Sequence, residues 1–244
     1  MDINEVRPID RDEMVGLATT EYDRLLAFLG ELDPAAWDRP TACDGWSVRD
    51  MVAHLLGAAE ANASLVENAR QLLRGRGRVR DDGRPLVDGI NDVQVDDRRH
   101  LSAAELIDRL AVVAPRAVRG RRRTPPPLRR VPVPGPLGDS ITLGFLVDVV
   151  YTRDQWMHRV DIARATDRDL VLTGAHDGRI VADIVRDWAA AHGEPFALEL
   201  TGPAGGHYHQ GHGGPRLTVD AVDLCLAVSG RAPAEGLLAV PVVF

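Results

Sequence analysis

The sequence predicts an α+β protein: a bundle of four long helices over residues 1–166, then a small α+β domain over residues 167–244. Three observations carry that expectation. Apolar residues recur at spacings of three and four through four long segments before residue 167, which is the signature of helices with one buried face. The texture then changes to shorter elements. Finally, Phe196-Ala197-Leu198-Glu199-Leu200 alternates with the period of a half-buried strand.

Taken in order, Met14, Leu17, Ala18, Tyr22, Leu25, Leu26 and Leu29 predict a first helix over residues 10–32. Asp33-Pro34 breaks it, and residues 34–44 read as a loop because Pro40 also disfavours helix before it. Ser47 is a good N-cap with Asp50 three residues later. Val48, Met51, Val52, Leu55, Leu56 and Ala59 then predict a second helix to about Leu73. Residues 75–84 are glycine, arginine and aspartate, and are expected to form a mobile loop. A short helix is expected over 87–100. Ser102 caps a third long helix with Ala103, Leu106, Leu110 and Val113 on one side. The arginine-rich span 119–136 contains three consecutive prolines and reads as a solvated connector.

A fourth helix is expected over 140–165. Beyond it, residues 174–191 are amphipathic, Gly205-Gly206 marks a turn, and 208–210 read as a returning strand. Asp220 caps a helix over 220–229, and residues 237–244 are expected to be a terminal strand.

Composition excludes several classes. The chain has 244 residues, 45% hydrophobic and 27% charged, close to globular averages, so wholesale disorder is not expected. A formal charge of -7 disfavours non-specific nucleic-acid binding. No segment has the roughly 20 apolar residues of a membrane span, and residues 1–12 lack the basic start and apolar run of a signal peptide. All 29 basic residues are arginines, which removes any lysine Schiff base or P-loop lysine. Cys43 and Cys225 form no paired metal spacing, so a reduced, cytoplasmic protein is expected, with Cys43 in a structural role.

The fourth helix carries the chemical signal. At about 100° per residue, Leu143, Val147, Val150, Asp154, His158 and Asp161 share one sector. Asp148, Thr152, Gln155 and Arg159 lie opposite, and Tyr151 borders the apolar sector. Asp154 and His158 are therefore four apart on the expected buried face. Burying both without partners costs several kcal/mol (order of magnitude). A plain i,i+4 Asp–His pair is one compensation. The other involves His54, which falls between Met51, Leu55 and Ala58 on the second helix. His54 is either a satisfied core histidine or a third ligand. Two imidazoles and one carboxylate suit a divalent metal with an open position. Asp161 is a candidate to orient His158 or to pair with Arg159 or Arg164. Trp46 and Tyr151 are core residues or pocket walls. His207, His209 and His212 lie between glycines and are expected as exposed imidazoles, with adventitious metal binding as the alternative.

Two stretches resemble a known family. The first is Trp37-Asp38-Arg39-Pro40-Thr41-Ala42-Cys43-Asp44-Gly45-Trp46-Ser47-Val48-Arg49-Asp50-Met51-Val52-Ala53-His54-Leu55-Leu56. The second is Arg153-Asp154-Gln155-Trp156-Met157-His158-Arg159-Val160-Asp161-Ile162-Ala163. Together they resemble the mycothiol-dependent maleylpyruvate isomerase family of DinB-like metal-binding four-helix bundles. The resemblance extends over nearly the whole chain. It implies a divalent metal held by a histidine on helix 2 and an acid-x3-His pair on helix 4, which transfers to His54, Asp154 and His158. Zinc is the first expectation; nickel, manganese and iron suit the same mixed O/N donors. This chain departs from the isomerase in having Asp154 where that enzyme has glutamate, one methylene longer.

The resemblance also implies mycothiol as a thiol cosubstrate and a small electrophile as substrate. A metal-bound thiol loses its proton. The thiolate adds to an activated double bond, allows rotation and leaves, or is transferred to an electrophile in other DinB-like enzymes. Arg231, in Ser229-Gly230-Arg231, resembles a family arginine implicated in activity, and a guanidinium suits a substrate carboxylate. The competing expectation is a non-catalytic DinB-like module that binds a ligand or regulates. An intact His54, Asp154 and His158 set separates the two.

Overall fold

A computed structural model of the chain describes residues 1–81 and 83–244. It is mainly helical with a small sheet near the C-terminal end, the α+β class expected from the sequence. The chain forms two compact units. One comprises Arg11–Asp169, the other Met1–Asp10 together with Leu170–Phe244. The first ten residues thus join the smaller unit, whereas the sequence had grouped them with the bundle.

The larger unit is built on four long helices. α1 is Arg11–Gly30 and buries Met14, Leu17, Ala18, Tyr22, Leu25 and Leu29. A 3-10 turn, Pro34–Asp38, follows and buries Trp37. α2 is Val48–Ala63, opened by a reciprocal capping box between Ser47 and Asp50. The predicted continuation to Leu73 is wrong. Ser64 adopts an extended conformation, its side chain accepts from the Glu67 amide, and a new helix, α3, runs Leu65–Val79. Ser64-Leu65-Val66-Glu67 is a start signal that the unbroken apolar texture masked.

The predicted loop over 75–84 is also corrected. Gly75 and Gly77 are helical in α3, while Asp82 lies outside the described residues. Helix α4, Leu86–Asp96, packs on α3 at Gly75. A Cβ on Gly89 would sit 2.3 Å from the Gly75 carbonyl oxygen, so the small residues serve helix contact rather than mobility.

α5 is Ala103–Arg123, capped by Ser102 and Glu105. It extends well into the span read as a connector, and Arg121 is only 2% exposed. The apolar series Leu106, Leu110, Val113 and Ala117 continues in phase to Arg121, so one arginine of the run is a core residue. The rest of that span is also structured. A helical turn, α6 (Pro126–Arg129), leads into a hairpin of β1 (Pro132–Pro134) and β2 (Ser140–Thr142).

The fourth long helix therefore starts later than predicted. It comprises a first turn, α7 (Leu143–Phe145), a π turn at Leu146–Val150, and α8 (Tyr151–Thr166). Its two-sided pattern is corrected as well. Asp148, Thr152, Gln155 and Arg159, assigned to the outer face, are all buried. From Thr152 to Ala163 every residue of α8 is buried except the partly open Asp154. Arg159 donates to both Glu21 carboxylate oxygens on α1, at 2.5 and 3.1 Å.

The smaller unit carries α9 (Asp177–His192), then β3 (Phe196–Thr201), β4 (Gly206–Gln210), β5 (Arg216–Asp220) and α10 (Ala221–Val228). The sheet order is β4-β3-β5, with β3 antiparallel to β4 and parallel to β5. The sequence missed β5, which is short and follows a glycine-rich loop. The expected terminal strand is instead a 3-10 turn, Gly236–Ala239, followed by irregular chain. Residues 1–10 close this unit. Met1 and Asp2 lie beside His209 on β4, and the Ile9 amide donates to the fully buried Asp183.

Helix α5 approaches α2 closely at Gly120, where an added Cβ would lie 1.9 Å from the Asn62 carbonyl oxygen. Backbone cannot yield as a side-chain tip can. Gly120→Ala is therefore expected to lose about 1–3 kcal/mol of stability by overpacking, read as a lower denaturant midpoint. An unchanged midpoint would show that the two helices separate freely.

Candidate metal centre

The sequence places His54 in the second turn of α2, where the helix phase points it inward; it is 6% exposed. Asp154 and His158 lie one turn apart on α8, so their side chains meet. Asp154 is the open member, with a quarter of its side chain accessible.

These three residues are brought together. Asp154 Oδ1 is 3.2 Å from His158 Nε2, and Asp154 Oδ2 is 3.6 Å from His54 Nε2. The two imidazoles meet edge to face, with ring centroids 5.1 Å apart. One donor atom from each lies within 4.8 Å of the others. A tetrahedral ion with bonds of ~2.1 Å separates its donors by roughly 3.4 Å, so the two measured separations bracket what such an ion requires.

A simple ion-pair cluster accounts poorly for His54. Neither of its ring nitrogens has a hydrogen-bond partner among the described residues, although both are buried. An unpaired buried imidazole nitrogen costs about 1–3 kcal/mol. A cation would satisfy one of them with a lone pair, so the residues present fit a divalent metal.

His158 is held from the other side. Its Nδ1 is 3.1 Å from Asp161 Oδ2, and the Asp161 side chain is fully buried. An Nδ1–H donating to that carboxylate leaves the Nε2 lone pair directed at Asp154 and His54. Of the alternatives open for Asp161, contact with His158 is present, while Arg159 engages Glu21.

Burial alone would raise the Asp154 carboxyl, but the neighbouring His158 and His54 hold it well below the usual carboxylate range. Burial likewise opposes charge on His158. The Asp154 and Asp161 carboxylates, with a contribution from the Cys43 thiol, nevertheless push His158 well above the ordinary histidine value. The two carboxylates thus favour positive charge at this position, on His158 in the first instance.

A tight turn frames the site. The Trp46 amide donates to the Cys43 carbonyl, and Gly45 between them has φ +76°, a conformation that favours glycine. This turn brings Trp46 to both imidazoles, at 5.1 Å from His54 and 6.4 Å from His158 between ring centroids. Trp46 is half-buried, a wall rather than core. Cys43 is half-exposed, and its Sγ lies within 4.8 Å of donor atoms on both His158 and Asp161. Tyr151 sits beneath the Arg121 guanidinium, 5.9 Å from ring centroid to Cζ. Burial pushes the Tyr22 phenol on α1 up to about 12, which keeps it neutral.

The remaining candidates lie in the smaller unit. His207 and His209 project from the exposed face of β4, on either side of buried Tyr208. Neither belongs to a converging group of three donors among the described residues. Arg231 follows α10 directly. Gly230 turns the chain with φ +76°, and the Arg231 amide donates to the Leu226 carbonyl at 2.8 Å.

Comparison with known proteins places this architecture. No curated protein matches the chain. Two solved structures do: a mycothiol-dependent maleylpyruvate isomerase and a histidine-to-alanine variant of it. Each has a TM-score of 0.58 at 16% identity, covering 95% of this chain and 92% of the other. At that identity the likeness is one of fold. A family model described as the mycothiol maleylpyruvate isomerase N-terminal domain matches residues 18–163, which hold α1, α2 and the Asp154–His158 pair. By that match over more than half its length, the chain belongs to the mycothiol maleylpyruvate isomerase N-terminal domain family.

Proposed function

We propose that this protein is a divalent-metal-dependent enzyme that activates a small thiol, mycothiol in the first instance, toward a small electrophile. The observation that carries the reading is the convergence of Asp154 and His158 with a buried His54 whose ring nitrogens make no hydrogen bond among the described residues. A ligand-binding module has no need to leave an imidazole unsatisfied in its core.

His54 Nε2, an Asp154 oxygen and His158 Nε2 are the ligands in this reading. Such an ion, when bound, lowers the pKa of a coordinated thiol so that thiolate forms near neutral pH. The chain's own residues do the rest. Asp161 fixes the His158 tautomer and ring. The partial exposure of Asp154 leaves the approach to the centre open. Trp46 covers the imidazoles on one flank and excludes water there, a surface suited to a flat conjugated substrate. Arg231 is the proposed partner of a substrate carboxylate.

The structural neighbours are maleylpyruvate isomerases by name, which favours cis–trans isomerisation as the reaction. Thiolate adds to the activated double bond, the resulting single bond rotates, and the same thiolate leaves. Atoms balance and the thiol is regenerated. Transfer of the thiol to an electrophile uses the same thiolate and is recognised by sulfur retained in the product. Zinc is the proposed metal, with nickel, manganese and iron as alternatives for this O/N donor set.

Elemental analysis of untagged protein is expected to give about one equivalent of metal and almost none for His54→Ala or His158→Ala. Equal metal in wild type and both variants would move the site elsewhere, with His207 and His209 the first place to look.

Metal affinity is expected to rise with pH, because His158 must lose a proton to bind. In metal-free protein the sign for stability is opposite. The His158 contribution is fully present below the ordinary histidine pKa and lost as pH rises through its elevated value. Unfolding midpoints in chelator across neutral to alkaline pH check this, and His158→Gln should flatten the decline. A midpoint that rises over that range in wild type would contradict it.

For Arg231, replacement by alanine should raise KM for a carboxylate-bearing electrophile while leaving metal content intact. A KM effect equal for carboxylate and ester substrates would remove it from the carboxylate role.

A further inference from the structure

The helix that carries two of the three donors is not regular where it reaches them. Between Leu146 and Val150 it widens into a π turn, and the Tyr151 amide donates to the Leu146 carbonyl five residues back. Such a turn accommodates one extra residue and loosens the carbonyl ladder. Asp154 lies in the first turn of α8, immediately after it. Nothing in regular helix geometry keeps this turn wide.

One side chain does bridge it. Arg121, from α5, is fully enclosed. Its Nε donates to the Val147 carbonyl at 2.6 Å, and its Nη2 reaches the Asp148 carbonyl at 3.4 Å. The same Nη2 donates to Thr152 Oγ1 at 2.5 Å, and that hydroxyl donates to the Asp148 carbonyl at 2.8 Å. The guanidinium thus ties the π turn to the first turn of α8, two residues before Asp154. Its Cζ lies over the Tyr151 ring, 5.9 Å from the centroid. Further along, His158 has its own brace in Asp161, and α8 is packed by Trp156, Met157 and Val160. Asp154 meets His158 Nε2 at 3.2 Å and His54 Nε2 at 3.6 Å, and its backbone follows two residues after the Thr152 that Arg121 holds.

We infer that Arg121 is a positioning residue for the metal centre: by holding the π turn between its guanidinium and Thr152, it sets where the Asp154 carboxylate meets His54 and His158. The inference rests on the metal reading above. It is a role for an arginine that touches neither ion nor substrate. The fork is essential, because one planar group must reach two carbonyls and a hydroxyl.

The test uses the full chain and cobalt(II) alone as probe. Cobalt affinity and the visible ligand-field spectrum are measured for wild type, Arg121→Met, Arg121→Lys and Thr152→Val, each first checked for folding by circular dichroism. Arg121→Met is expected to bind cobalt about 10–100-fold more weakly, the usual effect of losing a residue that orients a ligand, with a shifted spectrum. Arg121→Lys keeps the charge but not the fork, and should recover only part of the affinity. Thr152→Val should weaken binding in the same direction, which keeps the test decisive if Arg121→Met does not fold. Wild-type affinity and spectrum in folded Arg121→Met, or in Thr152→Val where Arg121→Met is unfolded, would overturn the inference alone. Failure of wild type to bind cobalt would overturn the metal reading and this inference with it.

Discussion

Enclosing a polar helix in protein is the constraint on which the larger unit depends. α8 carries Arg153, Asp154, His158, Arg159 and Asp161 within nine residues, all buried except the partly open Asp154. Each charge removed from water must meet a partner or cost several kcal/mol. The neighbouring helices meet that demand separately. α1 supplies Glu21 to Arg159. α8 itself supplies Asp161 to His158. α2 supplies His54, the one contribution that adds an unsatisfied group instead of removing one. Two of these arrangements neutralise charge within the protein; the third brings a second imidazole to Asp154.

That asymmetry separates structural from functional polarity. The Glu21–Arg159 pair is buried and joined by two hydrogen bonds, at 2.5 and 3.1 Å. Breaking such a pair would cost about 3–5 kcal/mol, because the survivor stays buried. The cluster of His54, Asp154 and His158 contains the same kinds of group but is partly open at Asp154, and one donor atom from each lies within 4.8 Å of the others. His158 pushed up by two carboxylates and Asp154 pushed down by two histidines are two sides of one electrostatic coupling.

The sequence made much of this readable because helix periodicity is local. Asp154 and His158 share a face whatever the remainder of the chain does, and His54 sits among apolar neighbours at helical spacing. Ser47 and Asp50 fixed where α2 starts, hence the phase of His54. The same reasoning failed where local and tertiary signals differ. Gly75 looked like a loop residue, but it is helical and its lack of a side chain is used for contact with Gly89 on α4. The arginine run over 119–123 looked solvated because charge density was read without phase. Arg121 falls in step with Leu106, Leu110, Val113 and Ala117, which was the signal available. The π turn was invisible, since its extra residue has no compositional mark.

The π turn also limits a wheel drawn at constant pitch, which holds for Asp154 and His158 within α8 but not for residues before Tyr151. All of α8 after Tyr151 obeys one phase, so relations within it are secure. Residues before the turn are displaced by about one residue's rotation, roughly 100°, and their relation to the donors cannot be taken from a regular helix. Asp148 illustrates the point: placed outside by the wheel, it is buried and paired with Arg129. A centre built across this discontinuity depends on whatever fixes the discontinuity in place. In this fold that dependence runs from Asp154 through Thr152 and the Val147 and Asp148 carbonyls to one buried arginine on a different helix, which links the packing of α5 to the geometry of the donors.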